Sequence, residues 1–158
     1  MHMTTQPSIL LIDDSPGERE LFRLALAQTG LDVTLYTEQD SDAAFHFLDH
    51  RAANVPGCPP GEVTGVVSTA RIERGPSQAA RSASTETMPV TSPSLPSLIL
   101  LDLNLRGQHG CDLLKRLRSD ARFAALPVVI FTTSDNPNDL ADSYSCGTNG
   151  YVVKPGSF

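Results

Sequence analysis

The chain has 158 residues, 40% of them apolar, with 12 Lys and Arg against 18 Asp and Glu for a formal net charge of −6. This length and composition suit a globular domain with a real core and exclude wholesale disorder, and the acidic balance argues against a nucleic-acid partner, which would demand a basic face. No apolar run approaches the ~20 residues that span a bilayer, and the start lacks the basic and apolar regions of a signal peptide, so a cytoplasmic protein with no membrane partner is expected.

Residues 9–12, Ile-Leu-Leu-Ile, form a continuous apolar run, the pattern of a strand buried on both faces. Ser15 then supplies an N-cap and Pro16 a first helical residue, and Leu21, Leu24 and Ala25 continue at helical spacing to Gly30. Residues 33–37 predict a second strand, and Ser41 is expected to cap a helix through Phe45, Phe47 and Leu48. The composition then changes. Over residues 52–96, Pro, Gly, Ser and Thr make up 22 of 45 positions, no period of 2 or 3.6 persists, and the charges cancel. This segment reads as an insertion within a single domain spanning 1–158, and the whole −6 belongs to the remainder. Residues 62–73 are β-branched enough to form a small hairpin inside it.

After the insertion, residues 98–101 (Leu-Ile-Leu-Leu) are a third strand, residues 110–119 a helix carrying Leu113, Leu114 and Leu117, and residues 128–131 a fourth strand. Asn136 and Pro137 open a helix that closes at Gly147, and residues 151–153 are a fifth strand. The order βαβαβαβαβ, with right-handed crossovers, predicts an α/β fold with a doubly wound five-stranded parallel sheet. The insertion precedes the third strand, so its ends should emerge at the amino edge of the sheet, and it is not expected to act as a lid.

In such sheets the functional crevice lies beyond the carboxyl ends of the strands. Strand one ends in Asp13 and Asp14, strand three in Asp102, strand four in Thr132 and strand five in Lys154. Taken singly each has a local reading: an Asp after a strand is commonly a turn or cap residue, and the threonine a half-buried strand hydroxyl. Together they bring three carboxylates, a hydroxyl and an ammonium to one place. Three clustered carboxylates repel unless a cation neutralises them, and hard oxygen ligands suit Mg2+ together with a phosphate oxygen. Asp102, held by a buried strand, is the natural phosphoryl acceptor. The histidines at 46, 50 and 109 fall in helix or loop contexts, where a solvated or capping imidazole is expected. Cys58, Cys111 and Cys146 are far apart in sequence and predict neither a disulfide framework nor a zinc site.

These residues resemble the receiver domain of two-component response regulators, the CheY-like, flavodoxin-like fold with strand order 2-1-3-4-5. The resemblance rests on residues 9–16 (ILLIDDSP), 100–105 (LLDLNL), 126–132 (LPVVIFT) and 150–155 (GYVVKP), and on the intervals from Asp102 to Thr132 and from Thr132 to Lys154. It covers about 113 residues. It looks most like the small stand-alone regulators paired with phytochrome-type histidine kinases. The resemblance implies that Asp13 and Asp14 form the metal-binding pair and that Asp102 is the phospho-acceptor. It implies that the backbone carbonyl of Asn104 completes the Mg2+ shell and that Thr132 and Tyr151 are switch residues. Lys154 would contact the phosphoryl group, with a cis peptide bond at Pro155. A sensor histidine kinase, of bacteriophytochrome type, would be the partner.

Two departures accompany it. The family usually continues after the lysine-proline pair with a fifth helix, whereas this sequence ends at Phe158, so one flank of the sheet is expected to be uncovered and open to homodimer formation through the strand-four and strand-five side. Arg106 stands where proline is frequent. Two other readings compete. A receiver-like interaction module that is never phosphorylated would lack Asp14, Asp102 or Lys154, all of which are present. A haloacid-dehalogenase-like hydrolase would need a second Asp two residues after Asp102, where Asn104 stands.

Overall fold

A computed structural model describes residues 6–53 and 95–155. The elements run β1 (Ser8–Ile12), α1 (Pro16–Thr29), β2 (Thr34–Glu38), α2 (Ser41–Ala53), β3 (Leu98–Leu101), β4 (Asn104–Leu105), β5 (Gln108–His109), α3 (Gly110–Ser119), β6 (Val128–Thr132), α4 (Pro137–Ser145) and β7 (Gly150–Val153). Five strands form a parallel sheet in the order β2-β1-β3-β6-β7, the doubly wound arrangement expected from the sequence.

The continuous apolar strands serve two cores. Leu10 and Ile12 of β1 join Ile99 and Leu101 of β3 in a cluster with α2 and α3, while Leu11 and Leu100 join Leu26 of α1 and Leu35 of β2 on the opposite face. Successive strand side chains point to opposite faces, so a strand covered on both sides must be apolar at every position. Phe123, fully buried, meets Phe45 of α2 edge to face at 5.5 Å and closes the first cluster. On the other side Phe22 of α1 meets Phe131 of β6 at 5.6 Å, but Leu21 and Leu24 of α1 and Val152 and Val153 of β7 remain exposed.

Local capping sets most helix boundaries. Ser15 Oγ accepts from Glu18 N at 3.4 Å with Pro16 following, and Gly30 takes the left-handed conformation (φ 71°) that ends α1. Asn136 Oδ1 accepts from Asn138 N at the start of α4, and His109 Nδ1 accepts from Cys111 N at the start of α3, so this imidazole is a capping group. The cap of α2 differs from the expectation. Asp40, not Ser41, holds it, with Oδ1 accepting from Ala43 N at 2.7 Å, while Ser41 is buried as the first helical residue. A carboxylate one position earlier reaches the free amides of the first turn, so the stronger acceptor takes the cap.

Both ends of the segment expected at 52–96 fall among the described residues. Ala52 is buried in α2, continuing the stripe of Ala44 and Leu48 at four-residue spacing, and Pro96 is buried ahead of β3. These residues belong to the folded part because burial of a helix face outweighs the composition of the neighbouring chain. Ser97 N donates to Ser8 O at 2.8 Å, so the chain re-enters at the amino edge of the sheet. Residues 62–73 lie outside the described residues. The expected cis bond at Pro155 is not found, since the described peptide bonds are all trans. Pro155 is exposed, and packing there does not override the intrinsic trans preference of ~0.5–1 kcal/mol.

Candidate functional site

β1 and β3 end level, with Ile12 opposite Leu101, so Asp13 and Asp102 emerge side by side at the carboxyl edge. The ladder continues past the strands: Asp13 N donates to Glu38 O at 3.0 Å and Asp102 N to Ile12 O at 2.9 Å, fixing both backbones. Asp13 is 1% and Asp102 6% exposed. With half-buried Asp14 they place one carboxylate oxygen each within 4.8 Å of one another.

Lys154 reaches this cluster from β7. Its backbone N donates to Thr132 O at 2.7 Å, aligning the ends of β6 and β7. Its Nζ lies 2.6 Å from Asp13 Oδ2 and 2.8 Å from Asp102 Oδ2, and also donates to Glu18 Oε2. Burial works against charge on this nitrogen, but the hydrogen bonds to Asp102, Asp13 and Glu18 outweigh it and hold the ammonium well above its ordinary pKa. The ring of Phe131 lies 5.5 Å below the ammonium, a cation–π contact.

Glu18 carries no signal of this role in the sequence, where it reads only as the first-turn acid of α1, three residues after its cap. In a capping box that carboxylate would turn back to the Ser15 amide. Here Ser15 N donates instead to Asp13 Oδ1 at 2.8 Å, which leaves the Glu18 side chain to Lys154. A second cation, Arg106, meets Asp14 Oδ2 at 3.5 Å from the exposed side. It belongs to a two-stranded hairpin, β4 and β5, that alternation did not predict because each strand has only two residues. Gly110 seats this hairpin: its N donates to Leu103 O at 2.8 Å, and a Cβ there would stand 2.3 Å from Asp102 O. Asp14, Asn104, Arg106 and His109 border a cavity of about 390 Å³ beside the carboxylates.

The remaining sequence candidates converge on the loop after β6. Thr132 is fully buried and its Oγ1 accepts from Ser134 N at 3.4 Å, while the Tyr151 hydroxyl donates to Ser134 O at 2.9 Å. Ser134 is therefore gripped at both its amide and its carbonyl by the two residues expected to act as switches. Asn104 N donates to Asp102 Oδ1 at 3.2 Å.

Three carboxylate oxygens on rigid strand ends, with one buried ammonium alongside, form a donor set for a hard divalent cation. A doubly wound parallel sheet bearing that set at its carboxyl edge defines a flavodoxin-like domain with an acidic cluster able to hold a cation. Comparison with known proteins places it more closely. Residues 64–158 match the response regulator receiver domain, and the chain belongs to that family. It is 29% identical over 146 residues to the response regulator Rcp1 of a Synechocystis strain, covering 92% of this chain and 75% of that protein. It is 43% identical over 65 residues to a probable methanogenesis regulatory protein, FilR2, of Methanothrix harundinacea, covering 41% of this chain and 42% of that protein. The match to the chemotaxis protein CheY1 of Helicobacter pylori spans 47% of that protein, so the chain covers less than half the length of either of these two relatives. Among solved structures, the phosphorylated cyanobacterial phytochrome response regulator RcpA superposes with a TM-score of 0.65 at 25% identity, covering 97% of this chain and 84% of that one. The Mn(2+)-bound form of Rcp1 superposes with a TM-score of 0.64 at 27% identity, covering 96% and 84%. Among the described residues no helix is long and apolar enough to cross a membrane.

Proposed function

We propose that the chain works as a single receiver domain, carrying its insertion at about 52–96, that accepts a phosphoryl group on Asp102 from a sensor histidine kinase and signals through a change of surface. The observation that carries this reading is the approach of Lys154 Nζ to Asp102 Oδ2 at 2.8 Å within a buried acidic cluster. An ionised carboxylate needs no general base: an Asp102 oxygen attacks phosphorus, the O–P bond forms, and the bond to the donor's histidine nitrogen breaks. Lys154 has three donors, all committed to carboxylates, so its hydrogen bond to Asp102 is the one exchanged for a phosphoryl oxygen while Asp13 and Glu18 hold the ammonium in place.

Asp13, Asp14 and Asp102, with the carbonyl of Asn104, are the residues that would hold Mg2+. When bound, the ion neutralises charge on the phosphoryl oxygens. The contacts around Ser134 support a route outward: if Thr132 Oγ1 turns to the phosphoryl group it releases Ser134 N, and the Tyr151 hydroxyl loses a fixed acceptor. The phytochrome-regulator relatives favour a kinase of bacteriophytochrome type, and the exposed Val152 and Val153 favour self-association at the β6 and β7 side. The domain carries out only its own phosphoryl transfer and dephosphorylation, in the cytoplasm. Incubation with acetyl phosphate and Mg2+ followed by intact mass is expected to give one base-labile phosphoryl adduct, absent in Asp102→Asn and when the metal is chelated. An adduct that survives Asp102→Asn would overturn the assignment.

A further inference from the structure

Two thiols that the phosphoryl chemistry leaves unused lie where α3 and α4 pack on the sheet. Cys111, the second residue of α3, is 5% exposed, and Cys146, directly after α4, is half-buried. Cys111 belongs to the first core cluster and Cys146 packs against it. The Cys146 thiol and the Ser143 hydroxyl are both near enough to the Cys111 thiol to perturb its ionisation. Both cysteines also border a cavity of about 390 Å³ that opens to solvent between His109, Lys115 and Asp142. A water molecule's share of liquid volume is ~30 Å³, so a small hydroperoxide has room to reach the sulfurs.

We propose that Cys111 and Cys146 are a site of reversible oxidation, closing to a disulfide in response to a hydroperoxide and reopened by a dithiol reductant. Cys146 is the more accessible sulfur and reacts first. Its thiolate attacks a peroxide oxygen, the O–O bond breaks, and the departing hydroxide takes up the proton the thiol released, leaving a sulfenic acid and water. The Cys111 sulfur then attacks the Cys146 sulfur, the S–S bond forms, the S–O bond breaks, and hydroxide leaves with the Cys111 proton as a second water. Two thiols and one hydrogen peroxide thus give one disulfide and two waters. Thiol–disulfide exchange with an external dithiol reverses the reaction.

Burial first, and then the neighbouring Cys146, push the Cys111 thiol up to about 11, which keeps it protonated at neutral pH. The bond would join two ends that matter to the domain. Cys111 follows Gly110, whose amide is tied to Leu103 beside Asp102, and Cys146 ends the helix that leaves the Thr132 loop. A bridge between them clamps the last turn of α4 to the first turn of α3. The inference stands independently of whether Asp102 is phosphorylated.

The test uses the full chain treated with hydrogen peroxide. Intact mass is expected to fall by about 2 Da as two thiol hydrogens are lost, alkylatable thiols to drop from three to one, and peptide mapping to join Cys111 to Cys146. Cys58→Ser should keep the mass loss, and Cys111→Ser treated with peroxide and dimedone should carry the label on Cys146. A wild-type disulfide that runs through Cys58, or oxidation of Cys146 to higher acids with no mass loss, overturns the proposal. Because mapping is done on the unaltered chain, it does not depend on any variant folding.

Discussion

Lys154 Nζ lies 2.8 Å from Asp102 Oδ2 across 52 residues of sequence, and the same nitrogen joins Asp13 and Glu18. One ammonium thus compensates carboxylates from the ends of β1 and β3 and the first turn of α1. Breaking a buried pair by removing one partner leaves uncompensated charge and costs about 3 kcal/mol. Lys154→Met should lower the urea midpoint accordingly, and added Mg2+ should restore more stability to the variant than it adds to the parent. Equal increments from Mg2+ in the two proteins would show that Lys154 does not neutralise the cation site.

Asp14 behaves oppositely. Its ion pair with Arg106 is solvent-exposed and worth at most ~1 kcal/mol, whereas its charge adds to the repulsion among Asp13 and Asp102. Asp14→Asn is expected to raise metal-free stability by about 0.5 kcal/mol while weakening Mg2+ binding. Chemical denaturation and a fluorescence or calorimetric Mg2+ titration check the two halves separately.

Gly110 is close-packed on Asp102 O, with no room for a Cβ at 2.3 Å. Gly110→Ala must push the hairpin away from the β3 end. A loss of about 2 kcal/mol in unfolding free energy is expected, together with slower phosphoryl adduct formation from acetyl phosphate. An unchanged adduct rate would show that the hairpin does not position Asp102.

Arg118 donates to Gly147 O, Ala124 O, Leu126 O and Asn149 Oδ1 at 2.9–3.1 Å, tying α3 to the segments that lead into β6 and β7. Burial lowers its pKa, yet the guanidinium keeps its charge and its five donors. A lysine presents one nitrogen and cannot span that fork. Arg118→Lys should therefore lose about 2 kcal/mol by thermal or urea unfolding, nearly as much as Arg118→Ala.

Glu38 carries the pH prediction. Burial first, and then Asp40, raise its pKa, with Arg19 opposing. Its folded-state pKa lies above the unfolded value of 4.5, so ionised Glu38 disfavours the fold at neutral pH and the penalty vanishes as pH falls through the folded-state value towards 4.5. Glu38→Gln is expected to stabilise by ~0.5 kcal/mol at pH 7, after allowance for solvent screening, and by almost nothing at pH 4. Urea midpoints measured at both pH values decide it, and a gain that grows towards acid would contradict the sign.

Much of the architecture is legible in the order of residues alone. The run of residues 9–12 and that of 98–101 demand strands covered on both faces, and β1 and β3 are such strands. Ser15-Pro16 and Asn136-Pro137 mark helix starts because caps act within a turn of the chain. The carboxylates at 13, 14 and 102 are readable as a cluster because doubly wound wiring brings those strand ends together. The two-residue strands of the hairpin are not, since period-2 alternation needs a longer run to register. The boundary of the insertion is blurred for a related reason: Ala52 sits in a Pro- and Gly-rich neighbourhood, but its burial depends on Ala44 and Leu48.

By itself the sequence determined the order of the five sheet strands and the four helices, the acidic residues at the strand ends and the lysine that comes after the last strand, because periodicity, capping and strand exits are written in neighbours a few residues apart. Only the tertiary structure decided that Glu18 turns to Lys154, 136 residues away, that Thr132 and Tyr151 hold the same residue, Ser134, and that Cys111 and Cys146 border one cavity. Each of those contacts depends on strand register and on the direction a side chain takes from a packed element, and neither is set until the two faces of the sheet are buried.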